Sequence, residues 1–136
     1  MRYSSEAEFV AKLRPHLDSI WGPGLIIYNE VPCHGQARMD LLILAGAELI
    51  AVEAKLSHWD RLLAQAYLHR YCVDRTYAAI PAAMLTEDRL QEANSLQVGV
   101  IVVSEFTASV AVEARKTEPC VEIRNRLADI ASSMVN

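Results

Sequence analysis

Cysteine is scarce in this chain, and its pattern excludes two common ways of holding a small domain together. There are 3 cysteines, Cys33, Cys72 and Cys120, an odd number at wide spacing and without a Cys-x-x-Cys pair. A disulfide framework and a zinc knuckle are both unsuited to that arrangement. The thiols are expected to be reduced in a cytoplasmic protein, with Cys72 buried on a helix. Glycine and proline number 5 each in 136 residues, too few for a collagenous or low-complexity chain. No apolar run approaches the roughly 18 residues that cross a bilayer, and the segment from Met1 to Glu6 has no apolar stretch of the secretory kind. No membrane partner is expected. Positive charge is also short: 13 basic residues face 17 acidic ones, for a net charge of −4. That balance speaks against nucleic acid, whose binders carry a basic footprint.

What remains is a chain with 52% hydrophobic residues, enough for one self-sufficient core spanning residues 1–136 as a single domain. Val10, Leu13, Leu17 and Ile20 recur at helical spacing over residues 4–21, with Ser4 or Ser5 as cap and Glu6 and Glu8 in the first turn. Strands follow at 25–31, 38–45 and 48–56, with a loop at Cys33-His34-Gly35-Gln36 between the first two. Ser57 is placed to cap a helix over 58–73, with Asp60 at the capping-box position. A strand at 75–80, a helix from Thr86 to about Asn94, strands at 98–103 and 109–114, and a helix at 121–133 complete the series. The order α-βββ-α-β-α-β-β-α predicts an α/β (α+β) fold, a central mixed β-sheet flanked by helices on both faces.

Chemistry concentrates in the hairpin from Arg38 to Lys55. Gly46-Ala47 suits a two-residue type II′ turn, Gly46 taking the first central position. Counting outward pairs Ala45 with Glu48, Leu44 with Leu49 and Leu42 with Ala51, and brings Asp40 opposite Glu53. Strand alternation places Lys55 on the face of Glu53. Two facing carboxylates repel, and both strands are otherwise apolar. Burial without a partner costs several kcal/mol or forces proton uptake. A hard divalent cation, Mg²⁺ or Mn²⁺, resolves that conflict, and Lys55 could then steady a developing negative charge. A buried ion pair between Lys55 and Glu53 or Asp40, with no metal, satisfies the same pattern.

At these residues the sequence resembles the PD-(D/E)xK nuclease superfamily, whose pattern is an Asp on one core strand and Glu-x-Lys on the next: here Asp40 and Glu53-Ala54-Lys55. The resemblance covers residues 4–81, and more loosely 98–103; Met39 stands before Asp40 where the family name has proline. It implies a restriction-endonuclease-like or Holliday-junction-resolvase-like core. It also implies a Mg²⁺-dependent DNA endonuclease serving repair or recombination, hydrolysing phosphodiester bonds through a metal-bound water. Asp40, Glu53 and the backbone carbonyl of Ala54 would hold the cation. Lys55 would position the attacking water, and Gln65, on the following helix, would touch that water or the DNA backbone. An acidic residue of the first helix joins the site in many members, and Glu6 is preferred here over a solvated Glu8. Glu30 is a further metal-ligand candidate. Glu6 also suits a helix N-terminus, and Gln65 an ordinary exposed amide. His34 and His69 read as surface or satisfied histidines, and Trp59 as a core or interface anchor.

The charge objection weakens by region. Residues 34–75 hold five basic residues (Arg38, Lys55, Arg61, Arg70, Arg75) and five acidic ones, while residues 76–136 carry a net −3. A bound cation would neutralise Asp40 and Glu53, and Arg61, Arg70 and Arg75 could then meet DNA phosphates. So few basic contacts imply a homodimer or a protein partner supplying DNA specificity. The competing expectation is a catalytically silent interaction module that keeps the nuclease fold in a DNA-processing or mobile-element system.

Overall fold

The computed structural model describes residues 3–33 and 38–133. The expected loop beyond Cys33, with His34, lies outside the described residues. The chain begins with helix α1 (Glu6–Leu13), whose N-terminus is closed by the Ser5 side chain accepting the Glu8 N–H. The Glu8 carboxylate turns back to the Ser4 N–H at 2.9 Å and to the Ser4 hydroxyl, so it is a capping group. The helix expected to run to residue 21 breaks at Pro15, which has no N–H to donate. A 3-10 turn over Arg14–His16 separates α1 from the short helix α2 (Leu17–Trp21).

Strands β1 (Ile26–Pro32), β2 (Arg38–Ala45) and β3 (Glu48–Ala54) form an antiparallel meander. Helix α3 (Trp59–His69) crosses over to β4 (Arg75–Pro81), and α4 (Glu87–Ser95) to β5 (Gly99–Val103); β3, β4 and β5 are parallel. β6 (Ala108–Val112) returns antiparallel, and α5 (Val121–Ser133) follows. The result is one six-stranded mixed sheet in the order β1-β2-β3-β4-β5-β6. Among the described residues no helix is long and apolar enough to cross a membrane.

The two faces carry different helices. Phe9, Leu13 and Leu17 of α1 and α2 pack on Leu41, Ile43, Ile50, Val52, Tyr77 and Ile101. On the other face Leu62 and Ala66 of α3 pack with Ala78, Ile80 and Val100, and α5 lays Leu127 and Ala131 near Leu42 and Ala51. Trp59 is buried in the α3 cluster, a core anchor. Gly99 is required by a close approach: a Cβ there would overlap the Tyr77 ring and lie 2.7 Å from the Ala114 nitrogen.

Strands β3 and β6 end two residues earlier than expected, at Ala54 and Val112, and both boundaries of α3 differ from expectation. α3 begins at Trp59 with His58 as N-cap, in left-handed geometry (φ +61°) and without a side-chain cap; Ser57 does not cap it. α3 also ends at His69, four residues early. The N–H groups of Cys72 and Val73 both return to the His69 carbonyl, and Asp74 is drawn into the sheet. Asp74 donates its N–H to the Leu49 carbonyl at 2.9 Å and accepts the Leu49 N–H at 2.8 Å. Cys72 is therefore buried in the turn after the helix.

Candidate active site

The β2–β3 ladder follows the count from the Gly46 turn: Ala45 faces Glu48, Leu42 faces Ala51, and Leu41 faces Val52. Gly46 has φ +60°, as its turn position requires. One step further the ladder stops, and the next positions are Asp40 and Glu53. The Ala54 N–H, which would have continued the pairing, is taken by Asp40 Oδ2 at 2.8 Å. On the other side of β2 the register brings Glu30 opposite Asp40, between the pairs Asn29–Leu41 and Val31–Met39. Glu30 adopts φ +51°, rare for a residue with a side chain. Beyond this kink alternation slips, and Val31 and Met39 pack in the α5-side cluster. Three carboxylates thus stand at neighbouring positions across β1, β2 and β3, where β2 parts from β3 while still paired with β1.

Asp40 and Glu53 are in direct contact, and the contact shapes their protonation. Burial pushes the Asp40 carboxyl up to about 7; the bond to Glu53 and its negative charge push the same way, while the Ala54 N–H and Lys55 oppose. Burial likewise raises Glu53 to about 7, against the opposing effects of its bonds to the Asp40 side chain and backbone and of Lys55. A nearby Cys33 thiol adds to the upward push on Glu53. Two buried carboxyls this close cannot both ionise freely. Glu53 is 3% exposed, and its Oε1 also meets Nε2 of His69, itself 3% exposed. His69 is a satisfied histidine, and its partner is the central acid of the hairpin.

Lys55 does not follow strand alternation. β3 ends at Ala54, and the Lys55 N–H bonds to the Ala79 carbonyl at 3.3 Å. Its Nζ reaches Glu6 Oε2 at 3.6 Å, on the α1 face, whereas Glu53 turns to His69 on the α3 face. Asp40 lies between them. It opens into a cleft of about 390 Å³ lined by Glu6, Val10, Arg14, Glu30, Asp40 and Ala54 among others. The structure therefore collects Glu6 of α1 and Glu30, Asp40 and Ala54 of the strands around one cleft, with Lys55 tied to Glu6 and Glu53 in contact with Asp40 outside the lining. In a strand the carbonyl points to the same side as the N–H of its residue, so the Ala54 carbonyl faces the gap left by β2.

The other candidates lie apart. Gln65 is exposed on α3, on the opposite face of the sheet from α1. Arg61 is exposed and lines a separate polar recess between the starts of α3 and α4. Arg70 bonds Gln97 Oε1 at 2.9 Å and stacks on Tyr67, and Arg75 bonds Glu48 at 3.1 Å and the Ala114 carbonyl at 2.8 Å. Arg75 opens β4 beside Ile50, at the opposite end of β3 from Glu53. These last two guanidinium groups are engaged within the chain. Arg14 was not anticipated. It lines the cleft, held by Asn29 Oδ1 at 2.9 Å and by the Ile27 carbonyl at 3.4 Å. Its spacing from Val10 and Glu6 on the first helix was the available signal.

Among the described residues no three His, Cys, Asp or Glu side chains form a ready metal cage. The donors at hand are two carboxyls in contact, a main-chain carbonyl aimed at the gap and two further carboxylates on the cleft wall. All are oxygens, and together they suit a hard cation that keeps several waters. No family model matches the sequence, and no curated protein matches it at a significant level. Among solved structures the chain is similar to SPO1766, a protein of unknown function from Silicibacter pomeroyi, at 17% identity and a TM-score of 0.71, covering 91% of this chain and 84% of that one. That likeness is one of fold. SfsA of Pyrococcus furiosus, solved in complex with Ca²⁺, aligns at 15% identity and a TM-score of 0.41, over 69% of this chain and 56% of that one.

Proposed function

We propose that the protein is a metal-dependent nuclease of the PD-(D/E)xK kind that hydrolyses DNA phosphodiester bonds at Asp40, Glu53 and Lys55. The observation that carries the reading is the Asp40–Glu53 contact: two carboxyls with ordinary values near 4 are both pushed up to about 7 at the edge of a cleft. A fold seldom retains such a pair unless something cationic offsets it. Asp40 and Glu53, with the Ala54 carbonyl and Glu6 or Glu30, would hold Mg²⁺ or Mn²⁺. Once bound, the cation supplies Lewis-acid polarisation of the phosphoryl oxygens and a lower pKa for water.

The remaining work falls to the chain. Lys55, anchored on Glu6 at 3.6 Å, carries a positive charge to the cleft beside Asp40, where it orients the attacking water and offsets charge on the pentavalent phosphorus. Glu6 keeps Lys55 extended toward the site. Arg14 presents positive charge on the cleft wall to the DNA backbone. One chain offers few such contacts, so a homodimer or a DNA-binding protein partner completes the grip. Purified protein is incubated with branched, single-stranded and plasmid DNA, and with RNA, in Mg²⁺ and in Mn²⁺. Cleavage of DNA that disappears in both Asp40→Ala and Lys55→Ala supports the reading; cleavage that survives either substitution removes the site from the mechanism.

A second reading draws on the polar satisfaction of the pair. Asp40 is bonded to the Ala54 N–H and Glu53 to His69, so the hairpin can persist with shared protons and no cation. The protein would then be a catalytically silent interaction module. Calorimetric titration with Mn²⁺ separates the two: the module binds none and cleaves nothing.

A further inference from the structure

The inward row of α3 is Leu62, Ala66 and His69, and the first two are fully buried apolar residues of the α3 cluster. The third position of such a row ordinarily takes another apolar side chain. Here it carries an imidazole with 3% exposure, which must find a polar partner. The partner is Glu53: Nε2 of His69 meets Oε1. Asp40 is restrained in the same way from the other side, its Oδ2 accepting the Ala54 N–H at 2.8 Å. Each carboxyl of the pair thus has one oxygen fixed by a nitrogen of the protein. A glutamate on a strand end has three side-chain torsions, and the contact with α3 fixes the last of them.

We infer that His69 is a positioning residue for the cation site, holding Glu53 Oε1 through Nε2 so that the carboxyl stays turned toward Asp40. The inference rests on the proposed nuclease reading and extends it to the α3 face, where His69 meets Glu53. Ligating carboxylates that are oriented by an outer hydrogen bond lose affinity when that bond is removed. The role needs a polar group at the place of Nε2, not merely a polar residue at position 69. A glutamine amide nitrogen falls near the place of Nε2; an asparagine amide falls near that of Nδ1, one bond short of Glu53.

The test compares His69→Gln with His69→Asn, two amides of equal chemistry and different reach, alongside the unaltered protein and Glu53→Gln. Mn²⁺ affinity is measured by calorimetry and by the loss of the free-ion paramagnetic resonance signal, and thermal melting in the absence of metal reports stability. The expectation is that His69→Asn weakens Mn²⁺ binding by about 10- to 100-fold while His69→Gln stays within about threefold of the unaltered protein. Equal affinity in both variants, whether high or low, overturns the positioning role. If the unaltered protein binds Mn²⁺ and Glu53→Gln does not, the cation reading stands whatever the His69 variants show. If the unaltered protein binds no Mn²⁺, that reading fails and takes this inference with it.

Discussion

Replacing Asp40 with asparagine should make the metal-free protein more stable above neutral pH. Burial pushes both carboxyls of the pair up to about 7 in the folded chain, from ordinary values of 3.8 for Asp40 and 4.5 for Glu53. The folded state therefore holds more protons than the unfolded chain between about pH 4 and 7, and stability falls as pH rises through that window. For Asp40 the rise from 3.8 to about 7 is equivalent to about 4 kcal/mol at 1.36 kcal/mol per pH unit. Asp40 is half-buried at the cleft, and solvent screening reduces its share. Asp40→Asn removes one of the two facing charges yet keeps an oxygen for the Ala54 N–H. Relative to the unaltered protein, the variant should gain about 2 kcal/mol at pH 8, a rise of about 6 °C in melting temperature for a chain this size. The gain should shrink as pH falls and vanish below about pH 4, where the Asp40 carboxyl is neutral in the unfolded chain as well as in the folded one. Urea or thermal denaturation followed by circular dichroism in chelator measures it. Because other titrations are common to both proteins, the difference between them isolates the pair. A difference that is flat with pH, or destabilisation of the variant at pH 8, refutes the claim that the two carboxyls strain the fold.

Other outcomes follow from the same geometry. Lys55→Met should lower the rate of DNA cleavage at least about 100-fold while leaving Mn²⁺ affinity nearly intact, read from single-turnover assays and calorimetry; comparable loss of both would make Lys55 a structural group. Arg14→Ala should reduce the steepness of the salt dependence of DNA binding by about one unit in a plot of log affinity against log salt. An unchanged slope places the phosphate backbone elsewhere. Asp74→Ala should destabilise by about 3 kcal/mol in urea, because it leaves the buried Leu49 N–H unpaired and takes the ionic partner, bonded at 2.9 Å, from Arg124, which keeps the Ala47 carbonyl. Although burial raises it, the Arg124 and Leu49 bonds hold the Asp74 carboxyl below its ordinary value, so its contribution is present at neutral pH and lost on acidification through its folded pKa, opposite in sign to that of the Asp40 pair. Gly99→Ala should cost about 1–3 kcal/mol through overlap with the Tyr77 ring, and pairing it with Tyr77→Leu should return part of the loss.

The centre of the site could be read from the chain because its geometry is local. One glycine turn sets the register of two strands, and a period of 2 carries that register five pairs outward to Asp40 and Glu53. The order of helices and strands was legible for a similar reason: each element announces itself by periodicity, a cap such as Thr86, or a proline. What was not legible depends on how elements dock. Nothing in the spacing of α3 says which strand residue its His69 will meet, so a buried histidine reads as generic until the helix is laid on the sheet. The turn of Lys55 toward α1 follows from β3 ending one residue earlier, and strand alternation cannot foresee that. Arg70 and Arg75 are spent on Gln97, Glu48 and the Ala114 carbonyl, partners 27 and 39 residues away, while Arg14, an unremarked residue beside Pro15, lines the cleft.

In the proposed nuclease, Asp40 and Glu53 are neighbours for the sake of a shared cation. A crystal of the protein soaked in Mn²⁺ and measured for anomalous scattering addresses it directly. A shared cation gives one peak between the two carboxyls, within about 2.3 Å of an oxygen from each and beside the Ala54 carbonyl. No peak there, with the carboxyls still in contact and Glu53 still on His69, would contradict it and leave a proton-sharing structural pair.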